Sequence, residues 1–229
     1  MKFHVITLFP DICKAYTDAS ILGRAQMKEK GKGAKHTGKK IEVKYYDIRT
    51  FSKNKHKKVD DRPYGGGPGM VMHAEPILRA WEKAVGPKTK NQKPRAKIKT
   101  LIMAPRGTMF TTQMAKDLAK KYDQLVLISG RYEGIDSRVQ KILKAEEVSV
   151  GDYVLTGGEL PALAIIDSVA RQVPGVLGTF ESLEEERVSS GEMYTRPEVL
   201  EYKKKKYKVP PVFLSGNHAE IEKRKNEGV

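Results

Sequence analysis

The sequence predicts an α/β protein built on a parallel sheet with helices on both faces. Short apolar runs, such as residues 3–9 and 125–129, have the length and composition of buried strands. Segments with helical spacing of apolar residues separate these runs, and strands that alternate with helices form mostly parallel sheets. Two strands also run into glycine-rich turns. Parallel strands place such turns at one edge of the sheet, where α/β proteins bind their ligands.

The N-terminal part of the chain contains two predicted strands with a helix between them. Residues 3–9 form the first strand. A helix follows from Asp11, and its apolar stripe continues to Leu22. Residues 28–40 are rich in lysine and glycine, which predicts an exposed loop. The second strand covers residues 41–46.

A long surface loop is predicted from residue 51 to residue 70. It is basic at residues 53–58 and rich in glycine at residues 65–69. This loop is not a phosphate-binding P-loop, because no Gly-Lys-Ser/Thr sequence follows the glycines. Residues 71–85 are predicted to form a helix that is interrupted near Pro76.

The second half of the first domain repeats the alternation of strand and helix. A third strand covers residues 98–103, and a helix covers residues 111–122. The strand at 125–129 leads into a helix at 135–145, and the last strand ends near residue 150. This order predicts a sheet that is covered on both faces.

Residues 150–161 are the stretch around which the site is expected to form. Gly151, Gly157 and Gly158 allow the backbone to turn tightly or to lie flush against a ligand. A helix is predicted from Glu159, and residues 130–134 form a second glycine turn. One such turn has a purely architectural explanation, but two at one edge of a sheet favour a ligand site.

The chain is expected to have two domains. Residues 1–177 form the α/β domain, and the acidic, serine-containing segment 178–195 reads as a flexible linker. Residues 196–229 form a small, mainly helical C-terminal domain whose last helix is capped by Asn217. This domain has few apolar residues, so it is expected to pack on its own first domain or on a second subunit.

Composition restricts the function classes. The 43 lysines and arginines exceed the 28 acidic residues, which gives a net charge of +15 and favours a polyanionic partner. Charge alone does not separate RNA from DNA or from anionic lipid. No apolar run approaches the roughly 18 residues of a membrane span, so we expect a cytoplasmic protein. A single cysteine, Cys13, excludes an internal disulfide and predicts a buried, inert thiol.

Several long motifs, in register, resemble those of the bacterial tRNA (guanine-N1)-methyltransferase family. The resemblance extends from residue 3 to residue 216. The motifs that carry it are residues 63–70, 130–134, 151–161 and 194–197. This family belongs to the SPOUT superfamily, so the resemblance implies a trefoil knot in the C-terminal part of the first domain.

The resemblance also implies the cofactor S-adenosyl-L-methionine. It implies no protein-bound metal site, and whether Mg²⁺ assists the reaction stays open. The dinucleotide fingerprint Gly-x-Gly-x-x-Gly is not found, which disfavours a nicotinamide enzyme. The cofactor-binding positions that carry over are Pro105, Gly107, Gly130, Tyr132, Glu133, Val150, Gly151, Asp152, Tyr153, Val154, Leu155, Gly157, Gly158 and Pro161.

Two catalytic residues carry over from the family. N1 of guanine carries a proton at neutral pH, so a carboxylate must remove it and a cation near O6 should stabilise the developing charge. The resemblance implies Arg171 as the cation and Glu186 as the base, although the family has an aspartate and a longer linker there. Glu184 or Glu185 is an alternative base. The simpler interpretation of Arg171 is an ordinary cation at the C-terminus of a helix. The simpler interpretation of the three glutamates is a solvated acidic run.

The resemblance implies that the substrate is the guanosine that follows the anticodon in tRNA, without a role for DNA or a membrane. It also implies that residues 196–229 form a tRNA-binding domain, and that the protein is a homodimer in which each site is completed by the other subunit's C-terminal domain. Two alternatives stay open: a non-catalytic RNA-binding or ribosome-assembly protein, and a SPOUT methyltransferase that acts on another RNA or on a ribose hydroxyl.

Overall fold

A computed structural model describes residues 1–27, 39–86, 96–177 and 193–226. The chain divides into two compact units, Met1–Gly178 and Thr179–Val229. The strands of the first unit are β1 (Lys2–Thr7), β2 (Glu42–Asp47), β3 (Asp60–Asp61), β4 (Val71–Met72), β5 (Ile98–Met109), β6 (Gln124–Ser129) and β7 (Glu146–Ser149). Its helices are α1 (Pro10–Thr17), α2 (Ser20–Gln26), α3 (Ala74–Val85), α4 (Thr112–Lys121), α5 (Ser137–Leu143) and α6 (Glu159–Arg171).

Five strands form a parallel sheet in the order β2-β1-β6-β5-β7. Successive side chains of a strand point to opposite faces. Val5 and Leu127 therefore join a core with α1, α2, α4 and α6, whereas Ile6 and Ile128 join a second core with α3 and α5. The predicted α/β class, with helices on both faces, is confirmed. The trefoil knot stays a prediction.

Two predicted helices differ from the observed ones. The helix from Asp11 is in fact two helices, because Ala19 is extended and Ser20 has φ of +48°. The break lets Gly23 approach the Asp18 carbonyl, where an added Cβ would lie only 2.2 Å from the oxygen. The interruption expected near Pro76 does not occur. Pro76 lies in the first turn of α3, where a missing N–H removes no helical hydrogen bond.

Strand β5 is longer than predicted, and its irregularity shapes the neighbouring loop. Met103 and Thr108 both pair with Val148 of β7, so the register shifts between them. An added Cβ at Gly107 would lie 2.4 Å from the β7 backbone. Glycine at this position therefore lets the two strands resume close contact after the shift.

The loop predicted at residues 51–70 contains β3 and leads into β4, and the two pair in an antiparallel manner. The buried Met72 donates its N–H to the Gly134 carbonyl at 2.9 Å and accepts from Asp136 N–H at 3.0 Å. Glu133 N–H donates to the Met70 carbonyl at 2.9 Å. The end of the long loop is thus fastened to the glycine turn that follows β6.

Cys13 lies on α1 and is fully buried, as the sequence predicted. Burial raises the pKa of its thiol to about 11, so the thiol stays protonated near neutral pH. Within the described ranges, no helix combines the length and apolar character that crossing a bilayer requires.

The second unit contains a hairpin that the sequence analysis did not predict. Strands β8 (Val199–Tyr202) and β9 (Lys205–Lys208) pair in an antiparallel manner, and a 3-10 helix, Pro211–Leu214, precedes α7 (His218–Asn226). The lysine run therefore forms a turn and a strand. The predicted cap of the last helix is confirmed, because the Asn217 side chain accepts from Glu220 N–H at 3.4 Å.

Candidate active site

A cavity of about 1060 Å³ opens at the register shift of β5 and at the carboxyl ends of β6 and β7. Its walls come mainly from residues 102–106, 130–138, 147–151 and 153–158. The three strands are adjacent and parallel, so the loops that follow β6 and β7 converge with the register shift of β5 at one edge of the sheet. The volume and the mixture of apolar side chains with exposed backbone suit a small organic ligand.

The cavity brings together most of the predicted cofactor-binding residues. Those that line it are Pro105, Gly130, Tyr132, Glu133, Val150, Gly151, Tyr153, Val154, Leu155, Gly157, Gly158 and Pro161. Gly107 and Asp152 are not part of this lining. For Gly107, the close approach of β5 to β7 gives a structural reason for glycine.

Two glycines hold the site loops close together. Gly158 donates its N–H to the Gly130 carbonyl at 2.9 Å, and an added Cβ would lie 2.7 Å from Ser129 Cα. The start of α6 therefore lies flush against the end of β6. Gly151 lies beneath the Tyr153 ring, where an added Cβ would be 2.1 Å from a ring carbon. Both glycines therefore let the loops around the cavity pack closely.

The glycine-rich loop packs against the cavity wall at Gly69, which lies beside the Glu133 side chain. Gly69 has φ of +79°, and an added Cβ would lie 2.4 Å from Glu133 Oε1. Glu133 itself lines the cavity. Gly69 therefore supplies both a left-handed turn and the space in which the Glu133 carboxylate lies.

An ion pair at the cavity wall joins the buried Glu159 to the partly exposed Arg131, which lines the cavity. Glu159, which is only 2% exposed, accepts from Thr7 Oγ1 at 2.7 Å and from Arg131 Nε at 3.0 Å. Arg131 also donates to the Thr156 carbonyl at 3.1 Å, and its guanidinium lies 4.6 Å from the Phe9 ring centroid. The pair thus links the end of β1, the turn after β6 and the loop before α6.

The sequence analysis assigned no role to Arg131 or Glu159. One signal was present: Glu159 is a charged residue at the start of a strongly apolar helix, where a carboxylate is favoured by the helix dipole. Its partner could not be identified from spacing, because 28 residues separate the two side chains.

Two further carboxylates of the cavity are paired with arginines. Asp136 bonds to Arg138, and Glu147 accepts from Arg106 Nε at 2.9 Å. These arginine hydrogen bonds hold the pKa of both carboxyls below the usual range. Both groups are therefore ionised at neutral pH, and their low pKa makes them weak proton acceptors. The described residues contain no cluster of His, Cys, Asp and Glu that could hold a metal ion.

The predicted catalytic residues lie away from this cavity or outside the described ranges. Arg171 is the last residue of α6, whose start at Glu159 lies beside the cavity. At 1.5 Å per residue, the helix places Arg171 about 18 Å from that start. It is not among the described residues that line the cavity. Glu186 and its neighbours Glu184 and Glu185 lie outside the described residues.

A comparison with protein families tests the family membership that the motifs indicate. The model of the family described as "tRNA (Guanine-1)-methyltransferase TrmD" matches residues 1–228. The chain belongs to this family. The family assignment thus covers both units and includes all of the motifs around the cavity.

Curated members of the family are similar over nearly their full lengths. A tRNA (guanine-N(1)-)-methyltransferase of Clostridioides difficile (strain 630) is 45% identical over 231 residues, which cover 99% of this chain and 91% of the relative. The proteins of the same name from Ruminiclostridium cellulolyticum and Lachnospira eligens are each 46% identical. Those matches cover 97% and 99% of this chain, and 88% and 89% of the respective relatives.

Proposed function

We propose that this protein is a tRNA (guanine-N1)-methyltransferase. It transfers a methyl group from S-adenosylmethionine to N1 of the guanosine that follows the anticodon. The observation that carries the proposal is the cavity at the register shift of β5 and the ends of β6 and β7, which is lined by the residues of the family's motifs. The relatives at 45–46% identity, which bear this activity as their name, support it.

The chemistry of the cavity fits S-adenosylmethionine. Met103, Leu155 and Pro161 offer apolar surface for the adenine ring, and the glycine turns offer backbone donors and acceptors for the polar groups. Glu133 offers a negative charge near a cationic ligand. When bound, the cofactor supplies a methyl group on a positively charged sulfur.

The chain must also remove the proton from N1 of guanine. We propose that Glu186 accepts it, with Glu184 and Glu185 as alternatives, and that the Arg171 guanidinium lies near O6. Asp136 and Glu147 are less suitable bases because arginines lower the pKa of each. The target base has to leave its stack to expose N1, as is usual for enzymes that modify bases.

A second copy of the chain is proposed to complete the site. Arg171 lies about 18 Å along α6 from the cavity of its own chain, so another copy would have to bring it to the reacting base. Helices α1 and α6 pack together and expose Ile12, Tyr16 and Leu160, which are 46%, 50% and 59% exposed. These three side chains form an apolar face, and a symmetric homodimer would cover it.

The net charge of +15 supports a nucleic-acid substrate, because lysines and arginines release counterions when they bind phosphates. The cytoplasm, which contains tRNA, is the proposed location. For the non-catalytic alternative, RNA binding would occur without methyl transfer. For the other SPOUT alternative, methylation would occur on another RNA or on a ribose hydroxyl.

The test is a methyl-transfer assay with two tRNA transcripts that differ only at the nucleotide after the anticodon. We expect the transcript with guanosine to be methylated and the transcript with adenosine to be unmodified. Mass spectrometry of nuclease digests should identify 1-methylguanosine. Methylation of neither transcript, or equal methylation of both, would contradict the proposal.

A further inference from the structure

The β8–β9 hairpin exposes an aromatic face. Its register places Leu200 opposite Tyr207 and Tyr202 opposite Lys205. Directly opposite and alternate residues share a face, so these four side chains lie on one side of the hairpin. Tyr202 is 58% exposed and Tyr207 is 53% exposed. Each tyrosine therefore keeps more than half of its surface open to solvent.

Both faces of the hairpin are exposed, which differs from the usual arrangement. An antiparallel pair normally buries its apolar face and exposes its polar one. Here the other face contains the ion pair between Lys206 and Glu201, with an N–O distance of 3.2 Å, and the exposed Lys208. The aromatic face is thus a surface whose ligand has to be sought outside the hairpin.

The turn of the hairpin contains lysines in an unfavourable backbone conformation. Lys203 and Lys204 have φ of +50° and +63°, in the left-handed region. Glycine, asparagine and aspartate are the residues that favour this region in two-residue hairpin turns. The Lys203 ammonium lies 5.3 Å from the Tyr202 ring centroid. Strained residues persist where their side chains serve a function, which here points to the positive charge beside the ring.

The charge of the hairpin identifies the class of ligand. Residues 199–208 contain five lysines and one glutamate. Positive charge beside exposed aromatic rings is the combination that binds unpaired nucleic acid, because phosphates pair with lysines and bases stack on rings. A paired helix keeps its bases within the stack, so it would use the lysines but leave the rings uncovered.

We propose that the aromatic face of the β8–β9 hairpin binds unpaired nucleotides of the RNA substrate by stacking. Tyr202 and Tyr207 are diagonal neighbours roughly 7 Å apart, so each ring can take a separate base. Lys203, Lys204 and Lys205 contact the phosphates. This inference rests on the proposed function, because that function supplies an RNA with an unpaired loop.

The test compares two double variants of the full chain. Tyr202→Ala with Tyr207→Ala removes both rings, and Tyr202→Phe with Tyr207→Phe keeps both. The dissociation constant is measured for an unmodified tRNA transcript and for a fully paired RNA duplex of equal charge. We expect the alanine variant to bind the transcript at least tenfold more weakly, and the phenylalanine variant to stay within about twofold of wild type. Duplex affinity should be the same for all three proteins.

Affinity for S-adenosylhomocysteine serves as the folding control and should be equal in the three proteins. If the double alanine variant fails this control, the single variant Tyr207→Ala is measured in its place, with a loss of at least threefold expected. The proposal is overturned if the alanine variant binds the transcript as wild type does, or loses duplex binding equally. It is also overturned if that variant alone dissociates into monomers, since the face would then contact a second copy.

The methyl-transfer assay separates this inference from the proposed function. If wild type transfers no methyl group but its transcript binding still depends on the two rings, the proposed function fails and the stacking surface stands. If wild type methylates the transcript and ring removal leaves binding and rate unchanged, the stacking surface fails and the function stands.

Discussion

Glu159 shows how one buried carboxylate can organise the site. It bonds to Thr7 from β1 and to Arg131 from the turn after β6, and Arg131 in turn holds the Thr156 carbonyl. Removing one partner of a buried pair leaves the other charge without compensation, which costs about 3–5 kcal/mol. An exposed pair contributes at most about 1 kcal/mol.

Arg131 keeps 22% of its side chain exposed, so the loss falls below the cost for a fully buried pair. We therefore expect Glu159→Gln to lower the free energy of unfolding by about 2 kcal/mol, measured by urea denaturation. The matched control is Asp117→Asn, which removes an exposed partner of Lys121 on α4 and should cost less than about 1 kcal/mol. Equal losses in the two variants would show that the Arg131–Glu159 pair does not have the stabilising role inferred from its contacts.

The proposed base makes a second prediction at the residue scale. Glu186→Gln should lower the single-turnover rate of methyl transfer by roughly 10²-fold, the usual effect of losing a general base. Binding of S-adenosylhomocysteine should be unchanged. Glu184→Gln and Glu185→Gln are the controls. If one of these variants is slow while Glu186→Gln is near normal, the base is assigned to the wrong glutamate.

At the scale of elements, periodicity was sufficient for the main strands and helices of the first unit. The periodicity of apolar residues gave the wrong element boundaries where a single backbone contact determines the local structure. The break before Ser20 brings Gly23 against the Asp18 carbonyl, and the extension of β5 depends on renewed pairing with Val148. Both contacts are between backbones, and apolar spacing carries no information about them. The hairpin was missed because lysines occupy a turn that usually contains glycine or asparagine.

The candidate site was only partly predictable from the sequence. Glycine turns after two strands indicated the edge of the sheet at which the cavity lies, because adjacent parallel strands end together. The Arg131–Glu159 pair was not predictable, since it depends on the order β1-β6-β5-β7 and on partners far apart in sequence. The distance of Arg171 from the cavity likewise became evident only from the three-dimensional arrangement.

Gly69 provides a test of how the elements around the site are coupled. Gly69→Ala should weaken S-adenosylhomocysteine binding by about fivefold or more, because the new Cβ would displace the Glu133 carboxylate. Gly66→Ala is the control. Gly66 also has φ of +79°, but an added Cβ would meet nothing within 4 Å. The two variants share the backbone strain, so equal binding losses would exclude a specific effect of Glu133.

At the scale of the whole molecule, the proposed role of Arg171 requires association, because Arg171 lies about 18 Å along α6 from its own cavity. We expect wild type to sediment as a dimer at micromolar concentration. Leu160→Lys should shift it toward monomer, because the new charge enters the proposed apolar face. Ile142→Lys, an equally exposed position on α5, should not. A monomeric wild type with full activity would rule out the shared site.

The cavity at the register shift of β5 and the ends of β6 and β7 is proposed to hold the methyl donor. Leu155 lines this cavity, whereas Ile142 on α5 is exposed outside it. The decisive measurement is calorimetric titration of S-adenosylhomocysteine into wild type, Leu155→Glu and Ile142→Glu. We predict that wild type and Ile142→Glu bind equally and that Leu155→Glu binds at least tenfold more weakly, because a charge then occupies an apolar wall. Absence of binding to wild type, or equal binding by all three proteins, would contradict the claim.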